Sequence, residues 1–169
     1  ACLKEFDETA CIVVKHANPC GVAVGDDLLD VYSRAFNADS LSAFSGIIAI
    51  NQECTADVAA EISKVFIEIV LAPAYDQKAL DLFSKKKNLR VLKVGKLKKR
   101  KKKLEVRNVD GGILVQETDT STLSGDDINI VTKSKLSSTE LETMLFGWRV
   151  LKYVKSNGVL IVKDNTTVG

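Results

Sequence analysis

Apolar residues fall into short unbroken runs, and the stretches between the runs carry helical spacing. Cys11-Ile12-Val13-Val14 is the first run and reads as a buried strand. It leads into Lys15-His16-Ala17-Asn18-Pro19-Cys20-Gly21, a turn expected to be set by Pro19 and Gly21, with Val22 to Val24 leaving it. Asp26 or Asp27 can cap a helix in which Leu28, Val31, Tyr32, Ala35 and Phe36 share a face. Asp39 to Gly46 is a loop of small and polar residues, and Ile47-Ile48-Ala49-Ile50 is a second strand. Thr55 caps a helix with Val58, Ala59, Ile62 and Phe66 on its apolar side. Ile67 to Leu71 is a third strand, stopped at Ala72-Pro73. Asp76 caps a helix with Ala79, Leu80 and Phe83 inward, and Lys85, Lys86 and Lys87 suit its negative end. Leu89 to Val94 is a fourth strand.

The order β, α, β, α, β, α, β predicts a mixed, largely parallel sheet with helices on its faces, a three-layer α/β/α arrangement. Beyond it, Asp110-Gly111-Gly112 bends the chain into an apolar strand at Ile113 to Val115. Residues 117–136 read as loop, with a short strand at Ile128 to Thr132. Ser137 or Ser138 caps the longest helix, whose expected buried side is Leu141, Met144, Leu145, Trp148, Leu151 and Tyr153. The helix ends at Lys155-Ser156-Asn157-Gly158, and Val159 to Val162 form another strand.

The chain has 169 residues and a net charge of only +2, so any basic surface is local. The local excess is Lys96 to Lys103, seven basic residues in eight. Such a run suits either a solvated connection or a nucleic-acid patch, and no aromatic residues are interleaved to stack on bases. Four cysteines without a C-x-x-C pair point to free thiols, a reducing compartment and a cytoplasmic location. No run approaches a membrane span. Both ends look cut, as in a piece of a longer chain.

Phosphate-loop signatures and the G-x-S-x-G elbow are missing. His16 with Pro19-Cys20 comes near the zinc-deaminase pattern, but position 18 is Asn rather than Glu and position 23 is Ala rather than Cys, so no zinc is expected. A Cys20–His16 nucleophile pair needs a lowered thiol pKa and an orienting group, and Cys20 equally suits packing. Lys15 and His16, with Glu68 and Asn157 further along, suit acyl or formyl transfer to nitrogen without a metal. A neutral imidazole accepts a proton from a weak amine, an ammonium stabilises developing negative charge, and an amide N–H polarises a carbonyl. The same residues also suit an ordinary surface turn and a helix C-terminus.

Val14 to Ala23 (V-K-H-A-N-P-C-G-V-A) closely resembles the signature of AICAR transformylase, the formyltransferase portion of the bifunctional purine-biosynthesis enzymes that also carry IMP cyclohydrolase. Ala38-Asp39 with Ser42 to Ala49, Phe66 to Pro73, Lys85 to Arg90, Gly111 to Gln116 and Val154 to Asn157 resemble further family segments in the same order.

The resemblance implies a cytidine-deaminase-like fold without its metal. It implies formyl transfer from 10-formyltetrahydrofolate to the 5-amino group of AICAR, with no tightly bound cofactor. Lys15, His16 and Asn157 fall on the family's catalytic positions. Phe44, Ser45, Gly46 and Glu68 fall on its substrate pocket, and Asn18, Pro19 and Gly21 support the turn. Ser45 stands where the family usually has Gly, which is expected to narrow the pocket. The partners implied are the AICAR nucleotide, a reduced folate and a second copy sharing the active sites, not nucleic acid or a membrane. Residues 1–95 would be a first deaminase-like subdomain lacking its N-terminal part, 96–110 a basic connecting loop, and 111–169 a continuation truncated before the second half.

Overall fold

The computed structural model describes residues 1–169. Strands β1 (Thr9–Lys15) and β2 (Asn18–Gly25) form an antiparallel hairpin. Helices α1 (Leu28–Asn37) and α2 (Ser40–Ala43) lead to β3 (Ile47–Ile50). Then come α3 (Ala56–Ser63), β4 (Ile69–Ala72), α4 (Gln77–Ser84) and β5 (Arg90–Lys93). A separate hairpin, β6 (Leu104–Val109) and β7 (Gly112–Glu117), precedes α5 (Ser138–Leu151), β8 (Val162–Lys163) and β9 (Thr166–Thr167).

Seven strands make one sheet in the order β5-β4-β3-β1-β2-β9-β8. It is mixed, with helices on both faces, as the alternation predicts. Parallel pairing, however, is confined to β3–β4 and β4–β5. Val22 to Val24, read as the exit from a turn, instead belong to β2, and this hairpin makes the centre of the sheet antiparallel. A two-residue turn can only return the chain antiparallel, whereas the parallel strands use helical crossovers.

Residues of β1 alternate between the two cores. Cys11 and Val13 pack with α1, α3 and α4 on one face, and Ala10 and Ile12 pack with α5 and the 3₁₀ turn Cys2–Glu5 on the other. Burial on both faces is why the run is apolar without alternation. Asp27 caps α1 by accepting from Asp30 N at 2.8 Å, and Asp76 caps α4 by accepting from Ala79 N at 2.6 Å. Thr55 precedes α3, but its hydroxyl bonds Asp57 rather than a helix amide.

Several expectations are corrected. Phe66 lies beyond the end of α3 and is exposed, because the helix stops at Ser63. Leu80 is only partly covered, and Lys85 to Lys87 follow α4 rather than ending it. Residues 104–109 of the expected connecting loop are a strand, and its partner β7, though apolar at Ile113 to Val115, is exposed on both faces. Ile128 to Thr132 is not a strand. The buried side of α5 is Phe146, Gly147 and Val150, while Met144 and Trp148 are 50% and 53% exposed. Apolar residues occur all round α5, so periodicity does not select a face. Asp164 and Asn165 form a turn with left-handed backbone that divides the last strand region into β8 and β9.

Candidate functional site

The β1–β2 turn consists of His16 and Ala17, with φ of 51° and 62°. Two left-handed central residues match the twist of the flanking strands, which is the geometry normally given to Asn-Gly. Pro19 and Gly21 therefore do not form the turn; they lie in β2. Pro19 opposes Val14 and Gly21 opposes Val13, so Cys20 is the extra residue of a bulge. Gly21 is required by α1, since a Cβ there would lie 1.8 Å from the Ala35 carbonyl oxygen. Asn18 has a bracing role: its Oδ1 accepts from Lys155 N at 3.3 Å, linking the hairpin to the segment before Asn157.

Lys15 ends β1, and its Nζ donates to the carbonyls of Phe44 and Ser45, each at 3.0 Å. An ammonium has three N–H donors, so one remains for a ligand. Ser45 has φ of 59°. Its N donates to Phe66 O at 2.8 Å, and its Oγ donates to Glu68 Oε1 at 2.5 Å. Glu68 N in turn donates to Gly46 O at 3.0 Å. Gly46 is buried where a Cβ would meet Ala43 O at 2.7 Å and Val14 O at 3.0 Å. The segment before β3, the start of β4 and the end of β1 are thus drawn together by main-chain bonds and close packing. Phe44 projects 60% exposed beside Phe66, with ring centroids 5.5 Å apart. The Ser45 side chain is engaged by Glu68.

A cavity of about 550 Å³ opens beside Lys15 and His16, with Asp39, Ser42, Cys20 and Leu160 among its walls. His16 is exposed at its rim. Asp39 and Ser42 are site residues that sequence reasoning did not single out. Asp39 caps α2, accepting from Ser42 N at 2.9 Å, and hydrogen bonds from the Ser42 side chain and backbone hold its carboxyl below the usual range. The Asp-x-x-Ser spacing was the available signal. Cys20 Sγ donates to Val13 O at 3.5 Å, and burial pushes its thiol up, assisted by the charge of Asp39. That is the opposite of what a nucleophile needs. No three His, Cys, Asp or Glu side chains converge to hold a metal ion.

Asn157, with φ of 56°, follows α5 on an exposed turn. Its Nδ2 donates to Ser156 Oγ at 3.3 Å, and it does not line the cavity of Lys15 and His16. Lys15, Phe44, Ser45, Gly46 and Glu68 are joined directly, His16 is next to them in the chain, and Asn157 stands apart. Within the basic run, Arg100 donates to Glu105 at 2.8 Å and Tyr153 at 3.1 Å, while Lys99 pairs with Asp7 and Lys102 with Glu117.

The family model of the AICARFT/IMPCHase bienzyme matches residues 1–169. The chain is 46% identical over 167 residues to the bifunctional purine biosynthesis protein PurH of Caldicellulosiruptor saccharolyticus. That match covers 99% of this chain and 32% of the relative, so the chain spans about a third of the curated protein it resembles.

Proposed function

The chain belongs to the AICARFT/IMPCHase bienzyme family, and from that membership we propose that it serves purine biosynthesis by contributing the Lys-His part of a formyl-transfer site. The observation that carries this reading is the chain of contacts from Lys15 through the Phe44 and Ser45 carbonyls to Glu68, beside the exposed imidazole of His16. It places a cation and an acceptor carboxylate, with a proton-accepting ring beside them in the chain, at one end of the central strands. The Phe44 and Phe66 rings supply an apolar wall beside them.

In this reading the amine of AICAR attacks the formyl carbon of 10-formyltetrahydrofolate. The new bond is C–N to the amine, and the bond that breaks is from the formyl carbon to N10. His16 takes the proton released by the amine. The Lys15 ammonium, two of whose donors are anchored on main-chain carbonyls, directs the third at the developing negative charge and gives that proton to departing N10, which leaves as an amine. Asn157, on the segment that Asn18 ties to the hairpin, would polarise the formyl carbonyl. The remaining walls of the site come from outside this chain, including a second copy. Such a soluble biosynthetic enzyme would work in the cytoplasm; no helix here is long and apolar enough to cross a membrane.

The test is transformylase turnover of the full-length protein, followed by consumption of 10-formyltetrahydrofolate. His16→Ala is expected to lower kcat by about 10²–10⁴-fold, the usual contribution of a positioned general base. Undiminished turnover would remove His16 from the reaction.

A further inference from the structure

Ser45 holds a backbone conformation that favours glycine, with φ of 59°. Its amide and carbonyl are both engaged, by Phe66 O and by Lys15 Nζ. A glycine would make both of those bonds with less strain. What serine adds is the hydroxyl, and that hydroxyl donates to Glu68 Oε1 at 2.5 Å. No lysine, arginine or histidine pairs with Glu68. The Ser45 hydroxyl is therefore the one side-chain donor to this carboxylate.

We propose that Ser45 is a positioning residue: its hydroxyl fixes the Glu68 carboxylate for the nucleotide, while its carbonyl ties that carboxylate's anchor to the Lys15 ammonium. With Oε1 occupied, Oε2 is left to accept from a neutral donor, a sugar hydroxyl or an amino group. The inference rests on the reading of Glu68 as a nucleotide contact. A hydrogen bond to a charged group is among the stronger ones, and a carboxylate without it rotates among several orientations.

The experiment compares Ser45→Gly, Ser45→Ala and Glu68→Gln in the full-length transformylase. KM for AICAR, kcat and the thermal midpoint are measured for each. Both Ser45 variants are expected to raise the nucleotide KM about tenfold, with a smaller change in kcat. Ser45→Gly is expected to have a higher thermal midpoint than Ser45→Ala, because both lose the hydroxyl and only glycine releases the left-handed strain. Equal loss of affinity in two variants of unequal stability is a combination that a purely structural serine does not produce. If Glu68→Gln raises KM and both Ser45 variants stay within twofold of the parent, the positioning role is overturned and the site reading stands. A rise confined to Ser45→Ala is not what loss of the hydroxyl predicts, since Ser45→Gly loses it too, and also overturns it. If Glu68→Gln leaves KM unchanged, Glu68 is not a nucleotide contact and both fall.

Discussion

A left-handed backbone at a residue with a Cβ costs about 1–2 kcal/mol, and His16, Ala17, Ser45 and Asn157 all carry it. Such strain persists where the surroundings fix the residue, and it gathers at functional sites. At Ala17 no ligand role competes. Ala17→Gly should relieve the strain, less about 0.5–1 kcal/mol of added chain entropy in the unfolded state. The net expectation is a gain of roughly 0.5–1 kcal/mol, read as a higher denaturant midpoint. Gly21 behaves in the opposite sense. Its replacement by Ala sets a Cβ 1.8 Å from a helix carbonyl, and backbone cannot swing away as a side chain does. A loss of about 3 kcal/mol is expected, at the upper end of overpacking costs. A Gly21→Ala protein with parental stability would mean that α1 does not sit against β2 as described.

Two caps illustrate how elements depend on single side chains. Asp76 accepts from Ala79 N within α4 and also from Ala56 N at the start of α3, at 2.6 and 2.9 Å. Asp76→Ala removes partners from two helices at once. It should cost about 2 kcal/mol, more than an ordinary cap, in an equilibrium unfolding measurement. Helix α5 begins with a reciprocal box between Ser137 and Glu140. Hydrogen bonds from the Ser137 backbone and side chain hold the Glu140 carboxyl below its ordinary value of 4.5. Because its folded pKa is depressed, its contribution is complete above that ordinary value and is lost as pH falls through the folded one. Amide exchange in the first turn of α5 should therefore accelerate on acidification below about pH 4.5, relative to amides in the middle of the helix. No acceleration would mean that the box is not formed.

At the scale of the molecule, a polar cluster joins segments far apart in sequence. Glu5 receives Lys152 Nζ at 3.2 Å and the Tyr153 hydroxyl, and Arg100 reaches the same tyrosine. The Glu5 and Lys152 side chains are each only 11% exposed. The cluster ties the first turn and the basic run to the end of α5, just before the segment that bears Asn157. Removing one member leaves the opposite charge buried without its partner. Glu5→Ala should cost about 3 kcal/mol, whereas the exposed Lys99–Asp7 pair should contribute under about 1 kcal/mol and fade with salt. A thermal midpoint for Glu5→Ala that matches the effect of breaking the exposed pair would contradict the structural role of the cluster.

The sequence by itself determined the elements whose signals are local. The short unbroken runs at residues 11–14, 47–50 and 67–71 marked strands, and Asp26 or Asp27, Asp76, and Ser137 or Ser138 marked helix starts, of which Asp27, Asp76 and Ser137 act through bonds made within three residues. It also placed Lys15 and His16 at a strand end, and it carried a resemblance to the family whose model matches residues 1–169. Tertiary structure decided what depends on distant partners. It put β2 beside β1 and so made the central pairings antiparallel. It chose Phe146 and Val150 rather than Trp148 as the inward side of α5, since apolar residues occur on every side of the helix and only its neighbours select a face. It brought Ser45 to Glu68 across 23 positions and left Asn157 outside the cavity. Periodicity reports which residues are apolar but not what covers them, and a site is defined by the second of these.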